Sequence, residues 1–289
     1  MEKNSVMNSR IQKYISTVGE LPSVPAVASA VLKVAGDQNS GADDLRAVVN
    51  RDPALSARIL KVANSSLYSF SRKIETVQHA IALLGFRTVT NISMAASLRE
   101  VFTHFGLAEK LLWEHSTLSG TVAARLAEYG TIGVDREEAF TAGLLHDLGK
   151  IAFNNNSRKK YLEVIEHVYN DGMPFIDAER KVFGFDHAEL GACVVAKWKL
   201  SESLETAIRF HHDASAIAGL SEEHRRLTAL TNLTTACCTR LGVGRRMPVE
   251  ELDIKQLWSF EVLELAEEDA EPILEMAREE VKQAEGLFG

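Results

Sequence analysis

Features that mark several protein classes are missing from this 289-residue sequence. It has no run of about 18 apolar residues, and its first residues lack the apolar core of a secretory signal. We therefore expect a cytoplasmic protein without a membrane span. Only six prolines and few alternating apolar runs occur, which favours helices over strands. The three cysteines, Cys193, Cys237 and Cys238, have no metal-finger spacing and no even disulfide count, so we expect reduced thiols.

An excess of positive charge is also lacking. The formal net charge is −8, which argues against a general nucleic-acid-binding surface. Lys61, Arg72, Lys73 and Arg87 could form a modest basic patch, but we interpret them as solvated surface. Nucleic-acid binding through the N-terminal helices is therefore the least favoured function. No G-x-S-x-G, Walker or G-x-G-x-x-G motif is present, so none of these motifs predicts another chemistry.

Helical periodicity and helix-end signals divide the first half of the chain into short helices. Asp52 followed by Pro53 is a start signal, because the carboxylate can cap the helix and proline suits its first position. A helix beginning at Thr76 should end at Gly85. No Gly/Ser-rich linker follows, so we expect this bundle to dock directly on the second half. The predicted helices span 11–18, 26–35, 43–49, 53–64, 76–84 and 87–102.

The second half differs because histidines lie on the apolar stripes of four predicted helices. His115, His146, His187 and His211 are the buried-face residues, and His212 adjoins His211. A single buried histidine is most often an ordinary core residue, but four that converge with a carboxylate suit a divalent metal. The helices that carry them are predicted at 107–129, 137–153, 186–198 and 201–212, and further helices at 221–241, 253–265 and 270–285.

The carboxylate is Asp147, directly after His146. On a continuous helix the two side chains would project about 100° apart. His146 could then hold one ion while Asp147 bridges towards a second, as two-metal hydrolysis requires. Four other histidines fall near helix ends or on polar faces and are interpreted as surface residues: His79, His104, His167 and His224.

The order His115, His146-Asp147, His187, His211-His212 resembles the HD superfamily of metal-dependent phosphohydrolases. More specifically, residues 21–240 resemble an HDOD domain, the HD-related output domain of bacterial signalling proteins. The motifs that carry this resemblance are 21–25 (LPSVP), 52–55 (DPAL), 63–65 (ANS), 80–85 (AIALLG), 113–116 (WEHS) and 143–150 (GLLHDLGK).

The resemblance implies an all-α multi-helix bundle, with an HD-superfamily-like core and an N-terminal helical subdomain. We predict a leader helix at 1–20, an HDOD domain at 21–242 and a C-terminal helical extension at 243–289. Within the domain, 21–106 is the N-terminal helical part and 107–242 the HD-like part.

Comparison with the HD-GYP phosphodiesterase branch implies a set of ligand and catalytic positions. One expected Asp is replaced by Asn232, a weaker, neutral ligand. The Gly-Tyr-Pro loop after the His pair is absent, and 213–217 (DASAI) stands there instead. One or two divalent ions (iron, manganese, zinc or another) are implied. The positions that match are His115, His146, Asp147, Lys150, His187, His211 and His212.

The function implied is a bacterial signal-transduction or regulatory module. Its phosphohydrolase site would be largely degenerate, and it would act by protein–protein interaction with a signalling partner. The alternative is an active metal-dependent phosphohydrolase on a nucleotide or phosphoester. In that alternative a bound water is the nucleophile and Lys150 stabilises the developing phosphate charge. The sequence leaves open the partner, the input signal, the substrate and the oligomeric state.

Overall fold

The computed structural model describes residues 2–18, 21–64, 70, 72–103 and 106–284. Within those ranges there are helices and irregular segments but no strand, so the predicted all-α class is confirmed. The α-helices of the described residues are α1 (Glu2–Val18), α2 (Ala26–Gly36), α3 (Ala42–Val49), α4 (Pro53–Ala63), α5 (Val77–Leu84), α6 (Phe86–Leu98), α7 (Leu107–Leu126), α8 (Arg136–Leu145), α9 (Leu148–Asn156), α10 (Arg158–Asn170), α11 (Phe175–Phe183), α12 (His187–Lys197), α13 (Glu202–Phe210), α14 (Glu222–Leu241), α15 (Trp258–Val262) and α16 (Ala270–Ala284).

Helices α4 and α5 begin and end where the sequence signals predict. The Asp52 carboxylate accepts hydrogen bonds from the backbone N–H groups of Ala54 and Leu55, which starts α4. Thr76 caps α5, and Gly85 ends it with a φ of 90° that favours glycine. These end predictions are confirmed. Helix α2 packs on α3 and α6, and α4 packs on α5 and α6, to build the N-terminal part.

The first helix is longer than the sequence predicts and packs on the second half of the chain. Helical periodicity predicts a helix from Ile11 within the leader predicted at 1–20, whereas α1 begins at Glu2. Ile11 is buried. The Tyr14 ring packs edge-on against Phe153 and Phe185, with ring centroids 5.8 and 5.3 Å away. Aromatic packing therefore holds α1 against the body of the protein.

The single helix predicted at 137–153 is wrong, because it is interrupted at His146 and Asp147. Asp147 has φ −96° and ψ 11°, outside the usual helical region. The expected angular separation of about 100° therefore does not hold. Instead, Asp147 Oδ2 lies 3.5 Å from His146 Nε2. The interruption lets α9 approach α12 so closely that a Cβ on Gly149 would lie 2.0 Å from the His187 carbonyl oxygen.

The remaining helices of the second half enclose this interruption. Helix α7 packs on α8 and α14, α9 on α12, α12 on α13, and α13 on α14. Helices α10 and α11 pack on each other in a stretch where no helix is predicted. Tyr161, Val164 and Val168 form the buried stripe of α10 at i, i+3 and i+7, a pattern that could have revealed it.

The C-terminal prediction is partly wrong. The helix expected at 253–265 is divided into a 3-10 turn (Ile254–Gln256) and the short α15. Leu257 between them has an extended backbone, with ψ 139°. Helix α16 begins at Ala270 as predicted, and the predicted end at Glu285 lies outside the described residues.

The C-terminal helices share a hydrophobic core with the HD-like part. Phe260 and Ile273 lie in one buried cluster with Val122 and Leu233, and α16 packs along α7. Burial of such side chains is the main stabilising contribution at this junction. The predicted boundary at residue 242 stays a prediction.

Several side chains outside the histidine pocket lie at the surface of the protein. The four basic residues interpreted as solvated surface are exposed, and Arg87 forms a two-bond ion pair with Asp135. Two residues named in the predictions, Ser65 and His104, lie outside the described residues. The other histidines predicted at the surface are exposed or half-buried, namely His79, His167 and His224.

The cysteines are free thiols, two of them buried and Cys193 half-buried. Burial raises the pKa of the Cys238 thiol to about 12, so it is protonated at neutral pH. Among the described residues, no helix combines the length and the apolar composition needed to cross a membrane.

Candidate metal centre

The structure brings the side chains predicted for the site into one pocket. They come from several helices and helix junctions, so the pocket exists only in the folded chain. The residues are His115 on α7, His146 and Asp147 between α8 and α9, Lys150 on α9, His187 at the start of α12, His211 and His212 just after α13, and Asn232 on α14.

Glycines allow the backbones around the pocket to come this close. A Cβ on Gly143 of α8 would lie 2.5 Å from the Ser119 carbonyl oxygen of α7. A Cβ on Gly244 would lie 2.5 Å from the Cβ of His115. Gly149 has the same role between α9 and α12. Because real Cβ atoms do not approach other atoms so closely, any larger residue would push the histidines apart.

The first group of candidate ligands is His115, His146 and Asp147. One ligand atom from each lies within 4.8 Å of the others. The Nε2 atoms of both histidines are 3.5 Å from Asp147 Oδ2. All three side chains are buried. This group therefore gathers two imidazoles around one carboxylate oxygen.

The second group is His187, His211 and His212, whose ligand atoms also lie within 4.8 Å of one another. His187 Nε2 is 3.2 Å from Asp147 Oδ1, so Asp147 lies between the two groups. His187 and His211 are fully buried, whereas His212 is exposed. The second group is therefore the one that reaches solvent.

Three buried imidazoles have Nδ1 held by a backbone carbonyl oxygen. The carbonyls are those of Val243 for His115 (2.9 Å), Gly143 for His146 (2.7 Å) and Ile208 for His211 (2.7 Å). Because a carbonyl oxygen only accepts, each Nδ1 must carry the hydrogen and each Nε2 keeps a lone pair. Rings oriented in this way present Nε2 as the metal-binding atom.

Five buried polar atoms of the pocket have no hydrogen-bond partner among the described residues. Such atoms are costly to bury without a partner. A divalent cation would accept lone pairs from all of them, and imidazole with carboxylate suits zinc, iron or manganese. The residues present therefore fit the metal that the sequence resemblance implies. The atoms are Nε2 of His146, His187 and His211 and Oδ1 of Asp147 and Asn232.

The protonation states of the pocket also suit a metal. Burial lowers the pKa of His115 to about 3 and lowers the pKa of His146 and of His211. These rings are therefore neutral at pH 7, and a metal would not have to displace their protons. Burial alone would raise the pKa of Asp147, but the positively charged Lys150 beside it holds that pKa well below its usual range.

Lys150 adds a cation to the first group. Its Nζ donates a hydrogen bond to Asp147 Oδ2 at 2.8 Å and lies 4.4 Å from the centroid of the Phe175 ring. Lys150 is only 8% exposed, so little water screens the ion pair. One oxygen of Asp147 is thus already neutralised, while the other faces the second group.

Glu179 belongs to the pocket but is not among the predicted residues. Its Oε2 accepts a hydrogen bond from His187 Nδ1 at 2.6 Å and another from the His187 backbone N–H at 2.8 Å. The carboxylate is fully buried on α11. No local pattern marks this glutamate, because α11 is not predicted and the contact depends on how α11 meets α12.

Asn232 and the segment after His212 are the two places where the sequence departs from the pattern that the resemblance to the hydrolase branch implies. Asn232 Nδ2 donates to the His211 carbonyl oxygen at 2.8 Å, which leaves only its neutral Oδ1 for a metal. After His212, Asp213 caps a 3-10 turn at Ala214–Gly219. A short turn therefore stands where the hydrolase branch has its substrate loop.

A helical fold built around a buried histidine–aspartate centre defines a protein with an HD-superfamily-like core. The chain belongs to the HDOD domain family, whose family model matches residues 21–214. The predicted family is confirmed.

Three known proteins illustrate the similarity. An HDOD domain protein with unknown function from Geobacter sulfurreducens is 25% identical, with 98% of each chain covered and a TM-score of 0.81. A protein of Marinobacter aquaeolei VT8, described as a candidate signal transduction protein, is 20% identical over 99% of this chain and 65% of that one, with a TM-score of 0.74. An uncharacterized protein of Treponema pallidum (strain Nichols) is 23% identical over 220 residues, or 75% of this chain. The present chain spans 42% of the length of that relative.

Proposed function

We propose that this protein is a regulatory module of bacterial signal transduction that holds a divalent metal and acts by binding a protein partner. The metal part depends on one observation: five buried acceptor atoms converge in the pocket without hydrogen-bond partners. Membership of the HDOD family supports the signalling part, as does the description of the Marinobacter protein. The free cysteines support a cytoplasmic location.

Two features favour regulation over catalysis. Asn232 supplies a neutral oxygen where a catalytic relative has a carboxylate, so a second ion would be bound weakly. The 3-10 turn at Ala214–Gly219 leaves no substrate loop beside His212. A single ion that is held firmly in a pocket without a substrate loop is suited to a structural or sensing role.

The ion would tie several helices together. Its ligands come from α7, the junction of α8 and α9, the start of α12 and the end of α13. Because binding requires that all of these be in place, metal-binding free energy becomes folding free energy. Gain or loss of the ion would then change the rigidity of the surface that the partner binds.

The metal part is tested by elemental analysis of tag-free protein purified without chelator. We expect bound iron, zinc or manganese in the wild type and its loss in the double variant His146→Ala/Asp147→Ala. His224→Ala, a histidine outside the pocket, is the matched control and should keep the metal. Metal-free wild-type protein that also fails to bind added Mn²⁺, Fe²⁺ or Zn²⁺ contradicts the proposal.

The partner part needs a separate test. Crosslinking in the native cells, with wild-type protein and the double variant as parallel baits, should recover a signalling protein with the wild type only. Reciprocal capture with that protein as bait should return this chain. Equal recovery by both baits would show that the metal does not govern partner binding.

The alternative function is an active metal-dependent phosphohydrolase on a nucleotide or phosphoester. The observation in its favour is the pair of three-ligand groups, in which Asp147 of the first group lies 3.2 Å from His187 of the second. A metal there would lower the pKa of a water nucleophile, and Lys150 could stabilise phosphate charge. A phosphodiesterase assay with added Mn²⁺ and Fe²⁺ tests it. Activity that persists in His146→Ala/Asp147→Ala would exclude this site as its source.

A further inference from the structure

The carboxylate of Glu179 meets His187 through two hydrogen bonds to the same oxygen, from the backbone N–H and from Nδ1. We propose that Glu179 is a positioning residue: it fixes the tautomer of His187 and strengthens that ring as a metal ligand of the second group. Glu179 touches neither the candidate metal position nor a substrate, so it acts only through His187.

The geometry determines the tautomer. The His187 backbone N–H can only donate, so an acceptor atom must face it, and Oε2 is that atom. The same oxygen therefore accepts from Nδ1, which must carry the ring hydrogen. Nε2, on the opposite side of the ring, lies 3.2 Å from Asp147 Oδ1 and has no hydrogen-bond partner among the described residues, so it is the atom that faces the candidate metal position.

The charge of this partner distinguishes His187 from the other buried rings. His115, His146 and His211 have neutral carbonyl partners at Nδ1, whereas His187 has a carboxylate. An anionic partner raises the basicity of the ring and tightens metal binding. The other oxygen of Glu179, Oε1, has no hydrogen-bond partner among the described residues. No other donor therefore competes with His187 for the negative charge of this carboxylate.

Arg180, the next residue of α11, makes different contacts and provides a matched control. Arg180 donates to Asp186 Oδ2 from Nε at 2.9 Å, and its Nη2 lies 2.7 Å from the same oxygen. The other Asp186 oxygen accepts from the backbone N–H groups of Ala188 and Glu189, which caps α12. Arg180 therefore braces the start of the helix, while Glu179 holds the imidazole.

The tautomer is measured directly by ¹⁵N NMR of histidine-labelled, metal-free protein. In the wild type we expect the hydrogen of His187 on Nδ1. Glu179→Gln should keep that tautomer, because its amide oxygen can replace Oε2 opposite the two N–H groups. Glu179→Leu removes the acceptor and should move the hydrogen to Nε2 in a large fraction of molecules. An unchanged tautomer in Glu179→Leu would overturn the proposal.

Metal affinity forms the second measurement, and only this arm depends on the metal binding proposed above. Glu179→Gln should weaken Zn²⁺ binding at least about tenfold, because it removes the negative charge of the side chain but keeps its size and shape. Arg180→Gln should lower the melting temperature yet leave Zn²⁺ affinity unchanged. If Arg180→Gln weakens Zn²⁺ binding as much as Glu179→Gln, the role of Glu179 is merely structural. If the wild type binds no Zn²⁺, the proposed function loses its metal, while the NMR result still decides the role of Glu179.

Discussion

Two buried carboxylates, Asp147 and Glu280, lie in different regions packed against α7 and meet opposite electrostatic surroundings. Asp147 accepts from Lys150 Nζ at 2.8 Å and faces His187 Nε2 at 3.2 Å. Its pKa is held well below the usual range despite burial. Glu280 on α16 is also buried, and its Oε1 has no hydrogen-bond partner among the described residues.

The surroundings of Glu280 contain no cation in hydrogen-bond contact with its carboxylate in the described structure. Burial raises the pKa of Glu280 to about 7, although the more distant Arg125 and Arg136 oppose that rise and Glu128 adds to it. The carboxylate faces a cavity of about 20 Å³ that Thr121 helps to line, which is room for about one water molecule.

The comparison shows what the pocket around Asp147 is built to do. A carboxylate buried at an ordinary helix junction avoids its desolvation cost by taking up a proton. Asp147 instead stays ionised, because the positively charged Lys150 beside it favours the charged form. A permanently charged oxygen facing unprotonated imidazoles is what a cation site requires.

The largest expected effect comes from removing the cation bonded to Asp147. Lys150→Met should destabilise the metal-free protein by about 3–5 kcal/mol, because a buried carboxylate loses its partner. Urea denaturation of chelator-treated protein measures this. The matched control is Lys160→Met, since Lys160 is exposed and lies 4.7 Å from the Phe183 ring centroid. Similar losses for the two variants would show that Asp147 does not depend on Lys150.

The two ligand groups should contribute unequally to Zn²⁺ affinity. His187→Ala should lower Zn²⁺ affinity by more than about 100-fold, whereas His115→Ala should lower it by less than about tenfold. The reason is that Lys150 already neutralises the Asp147 oxygen shared with His115. Competition titration with a coloured chelator gives both values. The reverse order would place the stronger site in the first group.

The pH dependence of stability should separate Glu280 from Asp147. The pKa of Glu280 is raised from 4.5 to about 7 in the folded protein. The stability that the protonated form contributes is therefore complete below pH 4.5 and is lost as the pH rises through 7. Glu280→Gln should be more stable than the wild type by about 3 kcal/mol at pH 8.

The control for Glu280→Gln is the same measurement at pH 4.5, where the wild-type side chain is already mostly neutral. Urea unfolding at both pH values should therefore show a difference that appears only on the alkaline side. A constant difference would mean that the substitution changes packing instead of charge.

The smallest effect is expected when Asn232 is replaced by the aspartate that the hydrolase pattern has at this position. Asn232→Asp should strengthen binding of Mn²⁺ or Zn²⁺ about tenfold, because ligand charge tunes affinity. The metal-free variant should lose about 1 kcal/mol, since Asn232 Nδ2 no longer donates to the His211 carbonyl oxygen. Thermal shifts with and without metal measure both effects. A metal-induced shift no larger than that of the wild type would exclude residue 232 from the site.

Local signals in the sequence predict much of the fold and the members of the pocket. The Asp52 and Thr76 caps and the terminating Gly85 are found where expected, because capping involves residues within one turn. The histidines on apolar stripes are buried, since helical periodicity is also local. By contrast, the helix predicted at 137–153 is interrupted at His146 and Asp147, and α9 packs closely on α12 directly after the interruption.

The sequence by itself therefore determined the all-α class, the HDOD family and which histidines meet beside Asp147. Only the tertiary structure decided how Asp147 is turned into the pocket and that Glu179 holds His187. The physical reason is distance. Capping and periodicity act over a few residues, whereas hydrogen bonds and charge interactions in the pocket join atoms that only folding brings within 3 Å of each other.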